Sequence, residues 1–239
     1  KEAATCRHDG VAWGYARSAS NRGVEIHQHT EVKSLLRDKD GTIKGVETNR
    51  GTVLANKVAV VVSGHTTTIT ETAGLRLPIK SFNLAAFVSE PVKPLIDVIV
   101  NCPDLGVYLN QSDKGELVIG GAPDPGQSFR RDVKQNVFEE AVVTMLELFP
   151  AFRRLKLLRQ WGGVLDIAHD ATPIISATDI PGLFVSCGWW GGFKAVPAGG
   201  YTLAHLIATG QPHNVAAPFT LDRFHHLDFI VESGTTTAR

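Results

Sequence analysis

No apolar run in this sequence approaches the roughly 18 residues that a membrane-spanning helix needs. The longest candidate, VAVVV at 58–62, reads as a buried strand instead. An excess of one charge is also missing. Lys plus Arg balance Asp plus Glu at 24 each, so there is no basic face of the kind nucleic-acid binding requires. The opening residues, KEAAT, carry no apolar signal-peptide core. Cysteine is scarce. Cys6, Cys102 and Cys187 are far apart and odd in number, and no CxxC or Cys/His cluster accompanies them. That pattern points away from a disulfide framework and a metal site, and towards a reducing, cytoplasmic compartment. Internal repeats and low-complexity segments are absent as well.

What is present is a chain of 239 residues, 43% hydrophobic, with 23 glycines and 12 prolines. It is long enough for one large or two small domains, and its richness in turns is typical of α/β and α+β enzymes. Apolar residues recur at helical spacing over 6–22, with Asp9 as a candidate N-cap and Gly23 as a stop. Residues 24–29 (VEIHQH) alternate like a strand, and 30–36 continue as another extended segment. Residues 38–41 (DKDG) form a turn into a hairpin partner at 43–48, followed by a short strand at 51–54. The valine run at 58–62 suits a central strand covered on both faces, and it ends at Ser63-Gly64-His65. From Pro78 the character changes. Strands at 81–90, 106–110 and 116–119 read as antiparallel. Residues 131–149 form an amphipathic helix with Val133, Val137, Ala141, Met145 and Leu148 on one stripe, and Pro150 ends it. Another extended segment covers 155–166.

Near the end, the strand LFVSC (183–187) is followed by a glycine-rich loop at 188–192 and a helix opened by Pro197 and Ala198. This order places helix N-terminal amides where an anionic or polar ligand can use them. Taken alone, Gly191-Gly192-Phe193-Lys194 reads first as an ordinary turn into a helix with a surface lysine, and only second as a ligand loop. VAVVVSGH fits a ligand-facing sheet edge or a core strand with a turn. His8, between Arg7 and Asp9, is open to a cofactor-attachment or acid–base role and to that of a solvated helix start. His27 and His29 share a strand face without a third ligand. His225-His226 sit in a polar tail, and the basic residues Arg153, Arg154, Lys156 and Arg159 default to a solvated face.

Together these pieces resemble one family. WGGVLDIAHDATPIISATDIPGLFVSCGWWGGFKAVPAGG, from Trp161 onward, is similar to the C-terminal region of FAD-dependent amine oxidases of the D-amino-acid-oxidase type. Within that group, CRHDGVAWGYARSASNRGVEIHQHTEV and AAPFTLDRF resemble the beta subunits of heterotetrameric sarcosine oxidases. The motifs occur in the right order over nearly the whole chain.

The resemblance implies an α/β plus α+β architecture. An incomplete glutathione-reductase-like FAD-binding domain would comprise 1–77 and 160–239, with an antiparallel-sheet substrate domain at 78–159. It implies oxidative demethylation of a small N-methyl amino acid, with proline dehydrogenase or glycine-oxidase-like chemistry as the enzymatic alternative and a noncatalytic subunit-contact module as the other. Noncovalent FAD is implied, together with FMN joined covalently to His8 beside the alpha subunit, and smaller subunits in the assembly. Glu31 and Val32 match the strand end that meets the adenine part of FAD. Ser63 and Gly64 match the next edge of the nucleotide site, and Gly191, Gly192 and Phe193 match the loop under the flavin ring. Lys194 matches the lysine that pairs with the substrate carboxylate. The chain departs from the family in having no GxGxxG phosphate loop, and in placing Trp189 and Trp190 where small residues are expected. It therefore reads as beginning in mid-domain, and is expected to bind FAD poorly and to be inactive by itself.

Overall fold

The computed structural model describes residues 5–230. It opens with helix α1 (His8–Ser20), and none of its residues is buried. The expected helix is present, but its N-cap is Arg7, whose extended backbone (φ −73, ψ 112) fits that position. Asp9 falls inside the first turn. There it pairs with Arg7 at 2.6 Å and accepts from the Gly10 amide, so it acts on the helix dipole instead of capping. Residues 24–29, expected as a strand, form none. A turn at 28–29 with His29 in the left-handed region (φ 56) breaks the extended path.

Three sheets follow among the described residues. β1 (Val32–Arg37), β2 (Ile43–Thr48) and β3 (Gly51–Leu54) form an antiparallel meander. β4 (Val58–Val60) leads through a short turn into helix α2 (Thr66–Thr70). β5 (Ile79–Pro91), β6 (Val100–Cys102), β7 (Val107–Gln111) and β8 (Glu116–Gln127) begin the large antiparallel sheet. Helix α3 (Gln135–Leu148) covers it, and β9 (Leu157–Ala168) completes it in the order β6-β7-β8-β5-β9. β10 (Ile174–Ala177) and β11 (Leu183–Cys187) then pair with β4, in the order β10-β11-β4. Helix α4 (Val196–Thr209) and the short α5 (Asp222–His225) close the described chain.

The large sheet is built as its alternation predicts. Every second residue of β5 from Ile79 to Ser89 is buried, as period-2 side-chain alternation requires. Phe87, Leu109, Leu117 and Ile119 meet Val137, Ala141 and Met145 of α3 in one core. A second core joins Leu35, Ile43, Val60, Ile79, Ala168 and Val185. β9 pairs with β5 continuously as far as Ala168, so the boundary expected at residue 160 falls within this strand.

The central strand of the smaller sheet is β11, all five residues of which are buried. This corrects the reading of 58–62. That run stops being strand at Val60, β4 is an edge among the described residues, and Val61 and Val62 are exposed. Its valine content signalled cover on both faces, but only the Val60 side meets core.

The C-terminal segment is fastened by a buried ion pair. Arg223 donates to Asp170 through Nε at 2.7 Å and Nη2 at 3.0 Å, and to the Thr172 carbonyl at 2.8 Å. Burial opposes ionisation of Asp170, but the Arg223 hydrogen bonds, with backbone donors from Ile230 and Thr172, outweigh it and hold the carboxyl below its usual range. The sign of the pH effect follows. A carboxyl with a depressed folded pKa stabilises the fold fully above its unfolded value, about 3.9, and loses that contribution as pH falls through the lower folded value. Thermal melts are expected to be flat in this respect above about pH 5 and to fall on the acid side. Arg223→Met, which leaves an unpaired buried carboxylate, should cost about 3–5 kcal/mol at neutral pH in urea unfolding and should flatten the acid-side fall.

Candidate active site

β4 and β11 run parallel, with Val58, Ala59 and Val60 beside Leu183, Phe184 and Val185. Residues 61–64 and 188–194 therefore leave the sheet at the same edge, beyond the carboxyl ends of adjacent parallel strands, where open α/β sheets bind their ligands. One carboxylate joins these two exits. Asp166 of β9 is fully buried. Its Oδ1 accepts from the Ser63 hydroxyl at 3.0 Å, and its Oδ2 accepts from the Gly188 amide at 2.5 Å.

The backbone at both exits is special. Ser63 (φ 47) and Gly188 (φ 73) are left-handed, a region costly for side chains. A Cβ at Gly188 would also lie 2.9 Å from that of Ala168. Next to Ser63, a Cβ at the buried Gly64 would lie 2.3 Å from Val164 Cγ1, and the Gly64 carbonyl accepts from Ser81 Oγ at 2.6 Å. The β4 exit is thus pressed against β9 and tied to β5.

In the loop, Trp189 turns inward. Its indole N–H donates to Ser186 Oγ at 3.0 Å, and its ring occupies the space that side chains at positions 192 and 199 would need. Trp190 is 41% exposed. Gly191, Phe193 and Lys194 face outward, with Gly192 and Lys194 in a short 3-10 turn leading into α4. Lys194 Nζ donates to the Gly191 carbonyl at 3.2 Å and remains exposed. The 14-residue α4 carries no acidic residue in its first turn, so its dipole keeps its attraction for negative charge. Behind the loop is a cavity of about 290 Å³ lined by Pro173, Ile175, Trp189, Trp190, Lys194 and Phe219. A larger one of about 570 Å³, among Arg76, Lys80, His169, Asp179 and His225, involves none of the loop residues.

The other expected residues lie elsewhere. Glu31 and Val32 are at the start of the meander. The exposed Glu31 carboxylate pairs with Lys33 at 2.5 Å, and its backbone exchanges hydrogen bonds with Asn49. His8 is exposed at the first position of α1, and the carboxyl of neighbouring Asp9 is held low by the hydrogen bond from Arg7. The structure thus brings Ser63, Gly64 and the 188–194 loop together. Glu31 and Val32 belong to the meander, and His8 to a helix without buried residues. Sequence reasoning missed Asp166, although a carboxylate amid Val164, Leu165 and Ile167 was itself a signal. Burial, reinforced by the charge of Asp166, pushes the Cys187 thiol far up, which makes this cysteine an inert part of the strand.

The profile of the family described as FAD dependent oxidoreductase matches residues 1–206. The chain belongs to this family. It is 47% identical over 230 residues to a sarcosine oxidase subunit beta of Rhodobacter capsulatus, covering 96% of this chain and 55% of that protein. It is 44% identical to the corresponding Arthrobacter protein, covering 97% of this chain and 57% of that one. The chain thus spans little more than half the length of these curated relatives. Among solved structures, an L-proline dehydrogenase from P. horikoshii superposes with a TM-score of 0.82 at 26% identity, over 90% of this chain and 59% of the other. A glycine oxidase from Geobacillus kaustophilus shares the fold, with a TM-score of 0.78 at 23% identity over 88% of this chain and 56% of that one.

These positions make a stability prediction. Gly188→Ala combines left-handed strain of about 1–2 kcal/mol with the Ala168 contact, so its urea midpoint should fall more than that of Gly200→Ala, where no heavy atom lies within 4 Å. Equal midpoints would remove the steric argument for glycine at 188.

Proposed function

We propose that this chain is the flavin-loop part of an amine oxidase subunit that demethylates a small N-methyl amino acid such as sarcosine. The observation that carries the reading is the 44–47% identity to sarcosine oxidase beta subunits along nearly the whole chain. It is supported by a site edge made of two parallel strand exits, a helix N-terminus and one exposed lysine. These groups fit the ring end of FAD. The α4 amides suit the negative charge of a reduced ring, and Gly191 and Phe193 offer an exposed backbone and an apolar wall. No GxGxxG loop occurs in the chain to hold the pyrophosphate. Glu31 and Val32 are assigned to the adenine end, and Ser63 and Gly64 to the next strand edge of the nucleotide site.

When bound, the flavin supplies the hydride acceptor. Lys194 supplies the cation for the substrate carboxylate and so fixes the orientation of the N-methyl group. The substrate amine must be neutral to release a hydride, and the positive charge of Lys194 favours the deprotonated amine. The imine product hydrolyses to formaldehyde or passes its carbon to folate. His8, exposed on α1, is assigned the covalent FMN. The exposed Trp13 and Tyr15 of the same helix suit contact with an alpha subunit, and smaller subunits complete a cytoplasmic heterotetramer. The L-proline dehydrogenase superposition supports a second reading in which Lys194 holds a cyclic secondary amino acid.

The test uses the full-length protein assembled with its partner subunits. Lys194→Met should raise KM for sarcosine by about tenfold to a hundredfold, the loss of one charged hydrogen bond. Activity on proline exceeding that on sarcosine would select the second reading. Flavin that survives acid precipitation should disappear in His8→Ala; its persistence would refute the attachment. A preparation that stays colourless with added FAD would indicate a noncatalytic module.

A further inference from the structure

We propose that Asp166 is a positioning residue. Its carboxylate sets the 188–194 loop against the exit of β4, and through that loop it fixes the edge offered to the flavin. The second half of this statement rests on the flavin reading above; the first half does not.

Asp166 is fully buried, and among the described residues it forms no ion pair. Its partners are one hydroxyl, from Ser63, and one amide, from Gly188, each on a different carboxylate oxygen. A carboxylate is an expensive group to bury for two hydrogen bonds, and its same-face neighbours Val164 and Ala168 show what the strand otherwise carries on this side. What the carboxylate does, and an apolar residue would not, is bridge two chain segments at fixed separation. Both segments are held in left-handed conformations at the contact, Ser63 at φ 47 and Gly188 at φ 73.

The loop is then built outward from the bridge. The Gly188 carbonyl accepts from the Trp190 amide at 3.1 Å, which closes a tight turn. Trp189 is pinned by its bond to Ser186 Oγ and by its packing over Gly192 and Gly199. Gly191 and Lys194 follow, joined by the lysine's bond to the Gly191 carbonyl. On the other side, the Ser63 carbonyl accepts from Thr66 Oγ1 at 2.6 Å, which carries the constraint into α2. A change at Asp166 therefore reaches both lips of the edge without touching either directly exposed surface.

The geometry also says which substitution should rescue. Asparagine can turn its oxygen to the Gly188 amide and donate from its amide nitrogen to Ser63 Oγ, because a hydroxyl accepts as well as donates. It keeps both bridges and removes only the charge. Alanine keeps neither.

Hydrogen exchange read by mass spectrometry on the full chain decides the matter. Asp166→Ala should speed exchange across 188–194 by about tenfold or more, as expected when a charged hydrogen bond is lost, while peptides from β5 and β8 keep wild-type rates. Asp166→Asn should restore most of the protection. Ile119→Val, in the core under α3 and away from the bridge, serves as the control for general destabilisation. The proposal is overturned if Asp166→Ala leaves the loop as protected as in the wild type. It is equally overturned if exchange rises evenly along the chain as in Ile119→Val, or if asparagine behaves like alanine. A parallel titration with FAD, read by flavin fluorescence, should show weaker binding for alanine than for asparagine. If the protein assembled with its partner subunits takes up no FAD, the flavin reading fails, while the exchange comparison still decides the role of Asp166.

Discussion

The arrangement of this molecule depends on a buried carboxylate at the end of one long strand. β9 starts in the antiparallel sheet over the α3 core and ends, with Ile79 paired to Ala168, in the core beneath the parallel pair. Asp166 lies in that last stretch. Because β5 and β9 stay in register over most of their length, the position of the large sheet is passed to Asp166, and from Asp166 to Ser63 and Gly188. Two cores that share no helix are coupled through one ladder, the two hydrogen bonds of Asp166 and the bond from Ser81 Oγ to the Gly64 carbonyl. A buried charge with few partners is a demanding way to make such a joint, since any slip of β9 against β5 would strand it. The joint therefore enforces register as well as position.

Much of the fold was legible because local pattern and tertiary role agree. The alternation of 79–91, the stripe Val137, Ala141 and Met145, and the strand–loop–helix order at 183–209 each produce the element that periodicity demands. The exposed arginines after Pro150 follow the ordinary rule for charged clusters. The failures share one cause: periodicity shows which face is apolar, never which partner is present. Residues 24–29 alternate, yet no described strand pairs with them and His29 turns the chain. Residues 58–62 and 183–187 look alike as short apolar runs, and only the neighbours on each side make β11 central and β4 an edge. Arg223 sat in a polar-looking tail, and nothing in LDRFHH says that Asp170, fifty-three residues earlier, would draw it into the interior.

The candidate site was legible where it depends on backbone and illegible where it depends on side chains from other segments. The glycine-rich loop and the exit at Ser63-Gly64 are properties of strand ends, whereas the parallel pairing of those strands is seen only in the fold. The bridge from Asp166 needs β9 to run past both exits, which is a fact of topology. Family resemblance suggested residues for the rim of the proposed site, but it did not suggest Asp166.

The loop also separates two reasons for glycine that a motif merges. Gly188 is required by its left-handed backbone, and Gly192 and Gly199 by the indole of Trp189 packed over them. Gly191 has neither a positive φ nor a backbone neighbour. A Cβ there would meet only the flexible end of Lys194 at 3.3 Å. Its absence of a side chain is then the one in this loop that internal packing does not demand, and the proposed flavin reading would use it for close approach of the ring. The inward Trp189 bears on the same point. A tryptophan placed where small residues were expected does not fill the outward face, because its ring is spent on the two glycines beneath it. The outward face is left to Trp190, Gly191, Phe193 and Lys194: one exposed stretch of backbone between two aromatic rings, with the cation at its end.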